Sequence, residues 1–189
     1  MKILLLFPPD WLPSEPYLSL PALTSVLRPA GHEVIQKDMN VEMYDMFFSR
    51  SFLEHVSDRI AGELNHLIHV EKQRALDEEE STLKAQLLQT SPEVLIQLSS
   101  DAEKAKEILR GESFYDIDKL EWATNILHQT MARLSLGYYP AQICFPPIET
   151  DLAYKPFMSS EILEALDDDQ INVYRDVYRQ LIAPIMKKE

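Results

Sequence analysis

The first apolar run of the chain is Ile3-Leu4-Leu5-Leu6-Phe7, and Pro8-Pro9 stops it. A continuous apolar run ended by prolines predicts a strand buried on both faces, as in a parallel sheet. A loop containing proline and serine follows, and then Ser19-Leu20-Pro21-Ala22-Leu23-Thr24-Ser25-Val26-Leu27. Leu20, Leu23, Val26 and Leu27 recur at helical spacing, and Pro21 falls in the first turn, where its missing N–H is tolerated. The spacing predicts a helix starting at Ser19 or Leu20 that lays those four residues on the sheet. Gly31 ends it as a left-handed cap. A second strand is expected over Glu33 to Lys37, closed by Asp38-Met39-Asn40. The result is one strand–helix–strand unit, with a right-handed crossover expected.

After Asn40 the period changes. From Val41 to Arg110 there is no strand pattern, only helix formers. Met43, Phe47, Leu53, Val56, Ile60, Leu64 and Leu67 recur at spacings near three and four. Glu71 to Gln89 is highly charged, with a stripe of Leu76, Leu83 and Leu87. Ser91-Pro92-Glu93 combines a capping hydroxyl, a first-position proline and a first-turn acid, so a helix is expected from there to Arg110, capped by Gly111. Another covers about Asp116 to Leu136 and ends at Gly137. Residues 138–158 are irregular and carry four prolines, with a short edge strand expected over Ala141 to Phe145. Ser159-Ser160-Glu161 opens a short helix, and Asp169 caps a last one over Ile171 to Met186. Two parallel strands make a poor independent sheet, so the beginning reads as an open α/β domain whose remaining strands come from elsewhere.

Composition removes several classes of function. Only four glycines occur in 189 residues, where ordinary usage gives about 13. They lie at least 26 residues apart, so no glycine-rich phosphate loop can be written. Net charge is −13, from 31 acids and 18 bases with no Lys/Arg run, which speaks against nucleic acid and anionic membrane as partners. Residues 149–169 hold seven acids and one base. Either a solvated face or a basic partner accounts for them. A single cysteine, Cys144, leaves no disulfide, no C-x-x-C and no cysteine cluster motif. No apolar run near the start is long enough for a membrane span or a signal core, and a cytoplasmic protein is expected.

The opening has a family likeness. Met1-Lys2-Ile3-Leu4-Leu5-Leu6-Phe7-Pro8-Pro9, then Tyr17-Leu18-Ser19-Leu20-Pro21-Ala22-Leu23, then Val26-Leu27-Arg28-Pro29-Ala30-Gly31-His32-Glu33-Val34 form an ordered series. It resembles the N-terminal cobalamin-binding-like domain of radical S-adenosylmethionine proteins (Fe–S oxidoreductases), over about 40 of 189 residues. The resemblance implies an α/β, helix-dominated fold: a partial Rossmann-like parallel βαβ unit over 1–40, followed by a long helical insertion over 41–137. A proline-rich segment with C-terminal helices, 138–189, then precedes the return of the sheet. It also implies an accessory role beside a radical S-adenosylmethionine catalytic domain of the same parent chain, which would carry the 4Fe–4S cluster and S-adenosylmethionine. Members with a histidine-ligated cobalamin show Asp-x-His-x-x-Gly after the first strand. Here Asp10 is followed by Trp11-Leu12-Pro13-Ser14-Glu15, so a protein-ligated cobalamin is not supported, while one without a protein nitrogen ligand stays open. The C-x-x-x-C-x-x-C triad of the radical domain is absent as well. The chain is therefore expected to be a non-catalytic N-terminal region of a longer enzyme.

In open α/β sheets ligands bind beyond the carboxyl ends of the strands. That rule gathers Pro8, Pro9, Asp10 and Trp11 with Asp38 and Asn40 on one rim. Pro9, Asp10, Trp11, Asp38 and Asn40 are the candidate cofactor-binding residues. Trp11 offers a stacking face, and Asp38 and Asn40 an acceptor and an amide. Turn-making and helix-capping are nonetheless the favoured roles of Asp38 and Asn40, and packing against the helical insertion that of Trp11. Glu63, His66 and His69 share a helix face at E-x-x-H-x-x-H spacing, but the pattern is common on polar helices and no metal site is assigned to it. Phe114, Tyr115, Trp122, Tyr138 and Tyr139 bracket one helix, and their expected role is packing the helical part against the α/β part. An alternative reading is a stand-alone helical interaction module, associating through its acidic surface or as a homodimer through the unpaired sheet edge.

Overall fold

The computed structural model describes residues 1–8, 17–143 and 173–186. Pro9, Asp10, Trp11, Cys144, the acidic segment 149–169 and the short helix expected after Ser159 all lie outside the described residues. The fold is helix-dominated with a two-stranded parallel sheet, and it divides into two compact units, residues 1–46 with 174–189, and residues 47–173.

The first unit holds β1 (Lys2–Phe7), α1 (Ser19–Leu27), β2 (Glu33–Asp38) and most of α2 (Met39–Phe47). The strands pair in parallel from Lys2↔Glu33 to Phe7↔Asp38, and α1 lies against both. Gly31 closes the turn after α1 at φ +84°, the left-handed region expected for it. The N–H of His32 bonds to the carbonyl of Leu27 at 3.2 Å and that of Gly31 to Arg28 at 3.0 Å, the paired bonds of a left-handed helix end.

Two expectations fail in this unit. The strand β1 is not buried on both faces: Ile3, Leu4 and Leu5 are half-buried and Leu6 is 45% exposed. Two strands present too little sheet for full cover. The helix α1 is also turned from its expected face, since Leu20 and Thr24 are buried while Leu23 and Val26 are 51% and 69% exposed. Thr24 tolerates burial because Gln36 Nε2 on β2 donates to its hydroxyl.

Near the C-terminus, α7 (Val173–Val177) leads through a wide turn (Tyr178–Ile182) into α8 (Ala183–Met186). In that turn the Ala183 N–H reaches back five residues to Tyr178. Pro184 has no N–H, and its ring crowds the carbonyl four residues earlier in a regular helix, so the wider turn relieves the conflict.

The second unit is built from α3 (Arg50–Glu71), α4 (Glu78–Leu88), α5 (Pro92–Arg110), a 3-10 turn (Glu112–Tyr115) and α6 (Ile117–Leu136). The continuous helical period after Val41 conceals a break. Ser49 stops α2 and starts α3, its hydroxyl accepting the Phe52 N–H at 3.3 Å. Ser91 caps α5 with Pro92 in the first turn, as the local sequence predicts. The buried stripe Leu95, Leu98, Ala102 and Ala105 repeats every three or four residues, and its small members let α5 approach α6 closely. Each fully buried leucine contributes roughly 1.5–3 kcal/mol relative to exposure. Tyr138 is fully buried, with the Arg59 guanidinium 4.6 Å from its ring centre and Phe52 stacked at 6.3 Å. Ser135 ties the chain after α6 back to the helix, accepting the Ile143 N–H at 2.8 Å. Only Gln142 of the expected 141–145 strand makes a bridge among the described residues.

Candidate functional site

The parallel register fixes the site. Phe7 and Asp38 are the last pair of the sheet, so the chain leaves β1 at Pro8 beside the point where β2 passes into α2. Both strands point their carboxyl ends at this rim, where an open α/β sheet offers a ligand its crevice. The turn into α2 is made by Asp38, whose Oδ1 accepts the backbone N–H groups of Asn40 at 3.0 Å and Val41 at 3.1 Å. These are orphan donors of the first helical turn, and a carboxylate there also meets the positive end of the helix dipole. Asn40 is 2% exposed. The capping role that the sequence allows for Asp38 is the one observed.

Neighbouring side chains complete the rim. Lys37 on β2 donates to both carboxylate oxygens of Glu42 at 2.7 Å. This pair spans the strand–helix junction and holds the entry angle of α2. Its sequence signal is weak, because a separation of five residues matches neither strand nor helix periodicity. Phe7 is buried, and its ring centre lies 3.7 Å from that of Tyr17. Phe7 and Tyr17 are thereby held together at this rim. Chemically, the described residues of the rim present the Lys37–Glu42 ion pair and a carboxylate engaged by backbone amides.

The other candidates are dispersed. His69 Nε2 sits 2.8 Å from Gln73 Nε2, and among the described residues no three His, Cys, Asp or Glu side chains are placed to hold a metal ion. Two shallow grooves lie among the described residues of the second unit. One, about 240 Å³, runs between α3 and α5 over Leu53, Pro92, Leu95 and Ile96; the other, about 390 Å³, lies beside Glu79 and Tyr139. Among the described residues no helix is long and apolar enough to cross a membrane. No protein-family model, curated protein or solved structure matches the chain.

Proposed function

We propose that the chain is an N-terminal accessory domain of a radical S-adenosylmethionine oxidoreductase, in which a Rossmann-like βαβ opening helps to bind cofactor or substrate and catalysis resides in the parent enzyme's radical domain. One observation carries the reading. The parallel register ending at Phe7↔Asp38 puts the Pro8 loop and the Asp38–Asn40 turn on one rim, in the order of the family's opening. The left-handed Gly31 supports it, since it makes the family-like Ala-Gly-His-Glu-Val turn into β2. Because the sequence contains no cysteine triad, this reading requires the cluster chemistry to reside in another part of a parent enzyme.

A histidine-ligated cobalamin does not fit these residues. The only histidine of the first unit is His32, which precedes β2 at the opposite end from the rim. A six-residue strand separates the two ends by about 20 Å. A cobalamin held without a protein nitrogen would rest on Pro9, Asp10 and Trp11 beside Asp38 and Asn40. Two measurements test the proposal. The coding frame after Glu189 is expected to continue into further strands and a C-x-x-x-C-x-x-C triad, and a stop codon there removes the reading. Titration with hydroxocobalamin then separates the two accessory roles, because an unchanged corrin spectrum leaves only substrate recognition.

A second reading has its own support. Leu6 and Ile35 on the two strands are 45% and 36% exposed, and Leu18, Leu23 and Val26 add apolar surface around α1. Sheets with open edges pair with other strands. A helical interaction module associating through this edge would run as a dimer in light scattering, whereas a well-folded monomer at all concentrations argues against it.

A further inference from the structure

The aromatic group that brackets α6 is unevenly covered. Tyr138 is fully buried, but Phe114, Tyr115 and Trp122 are 42%, 86% and 39% exposed, and Ile117 among them is 79% exposed. We infer that Phe114, Tyr115, Ile117 and Trp122 form a docking surface for a protein partner that offers an apolar helix face flanked by lysine or arginine.

Three observations carry the inference. First, the projection is held by backbone rather than by the side chains it displays. The Phe114 N–H bonds to Gly111 and that of Asp116 to Ser113, both at 3.1 Å, and Asp116 Oδ1 caps α6 at Lys119. The turn joins α5 and α6, the most extensively packed helix pair, so the surface is preorganised and loses little freedom on binding. Second, the Phe114 and Tyr115 rings meet edge to face at 5.5 Å, giving a contiguous aromatic projection. Aromatic anchors of this kind dominate binding energy at protein interfaces, and exposed apolar groups rimmed by polar residues mark such sites. Third, the rim is acidic on balance, with Glu112, Asp116, Asp118 and Glu121 against Arg110 and Lys119. Glu112, Asp118 and Glu121 are exposed and have no ion pair among the described residues, while Asp116 is matched by Lys119 at 3.4 Å. This charge selects a basic partner. It disfavours a second copy of a chain with net charge −13, and equally an anionic lipid surface.

The test uses the full chain and a defined probe, a synthetic amphipathic helix with leucines on one face and lysines on the other. A leucine/glutamate helix of equal length serves as control, and titration calorimetry reads the affinity. The double variant Tyr115→Ser/Ile117→Ser keeps every charge, and its exposed positions leave folding intact, which circular dichroism checks. It is expected to bind the leucine/lysine helix about tenfold or more weakly than the parent chain. A second variant, Glu112→Gln/Asp118→Asn/Glu121→Gln, keeps the apolar surface; it is expected to weaken binding and flatten its salt dependence. Equal affinity for parent and Tyr115→Ser/Ile117→Ser overturns the inference, because binding is then general attraction to an acidic protein. Equal affinity for the two helices also overturns it. Flotation with phosphatidylcholine or phosphatidylglycerol vesicles that is lost in the Tyr115→Ser/Ile117→Ser variant assigns the surface to lipid instead.

Discussion

Arg74 and Glu80 meet through two parallel N–H···O bonds, Nη1 to Oε2 at 2.7 Å and Nη2 to Oε1 at 2.6 Å. The same carboxylate accepts the Asp77 N–H at 3.1 Å, while Asp77 Oδ1 accepts the Glu80 N–H at 2.8 Å, so the start of α4 is capped reciprocally. The Arg74 guanidinium, then the Asp77 amide, lower the Glu80 carboxyl to about 2, with the positive charges of Arg74 and His66 adding to the effect. A folded value below the unfolded one means the contribution is present above the ordinary glutamate range of about 4.3 and is lost as pH falls through about 2. Carboxyl NMR is expected to find Glu80 titrating near 2 in the parent chain and well above that in Arg74→Ala. A Glu80 that titrates in the usual range in the parent chain contradicts the bidentate pair.

Local signals explain what was legible. The Ser91 cap, Pro92 and the left-handed Gly31 need only a few adjacent residues, and all appear where the sequence places them. The parallel pair was equally legible from its apolar run and turn. The covered face of α1 was not. Helical spacing identifies apolar stripes, but tertiary contact decides which stripe is covered, and here the choice fell on Leu20 and Thr24. The same limit applies to aromatics: nothing local separates buried Tyr138 from exposed Tyr115. At the candidate site, strand order alone located Asp38 and Asn40, whereas the Lys37–Glu42 pair and the Phe7–Tyr17 contact emerge only from the folded junction.

Gly31 and its neighbours allow a direct test of the βαβ turn. A side chain at φ +84° meets no atom within 4 Å, so the cost of Gly31→Ala is conformational, about 1–2 kcal/mol. Gly31→Asn is expected to cost less, because asparagine visits this region more readily. Urea denaturation of the three chains measures the order, and equal stability of Ala and Gly at this position rules out the left-handed cap.

Two helix-associated glycines are expected to respond in opposite directions. Gly62 lies within α3 with open space around its Cα, so Gly62→Ala gains helix propensity of roughly 0.5–1 kcal/mol. Gly137 faces α3 closely: a Cβ there would stand 2.8 Å from Val56 Cγ1. Val56 is fully buried and its branched side chain has few rotamers, so Gly137→Ala is expected to destabilise by about 1–3 kcal/mol. Adding Val56→Ala should recover part of that loss, making the double variant more stable than the sum of the single effects. Additive effects in urea denaturation show that the two residues do not meet.

Asp38 offers the means to separate capping from ligand binding at the rim. Its Oδ1 serves two backbone amides, a geometry that an asparagine oxygen can reproduce and alanine cannot. Asp38→Ala is expected to cost about 1 kcal/mol and to speed hydrogen exchange at the Asn40 and Val41 amides, which lose their acceptor. Asp38→Asn keeps the acceptor but gives up the favourable charge at the helix N-terminus, so its loss is the smaller one. Equal destabilisation by both variants means that the negative charge, not the acceptor geometry, holds the turn. The stability difference then calibrates binding measurements. An Asp38→Asn chain that stays folded but is altered in hydroxocobalamin response places the carboxylate charge at the ligand. An unaltered response confines Asp38 to the junction of β2 and α2, where its two amide partners already account for it.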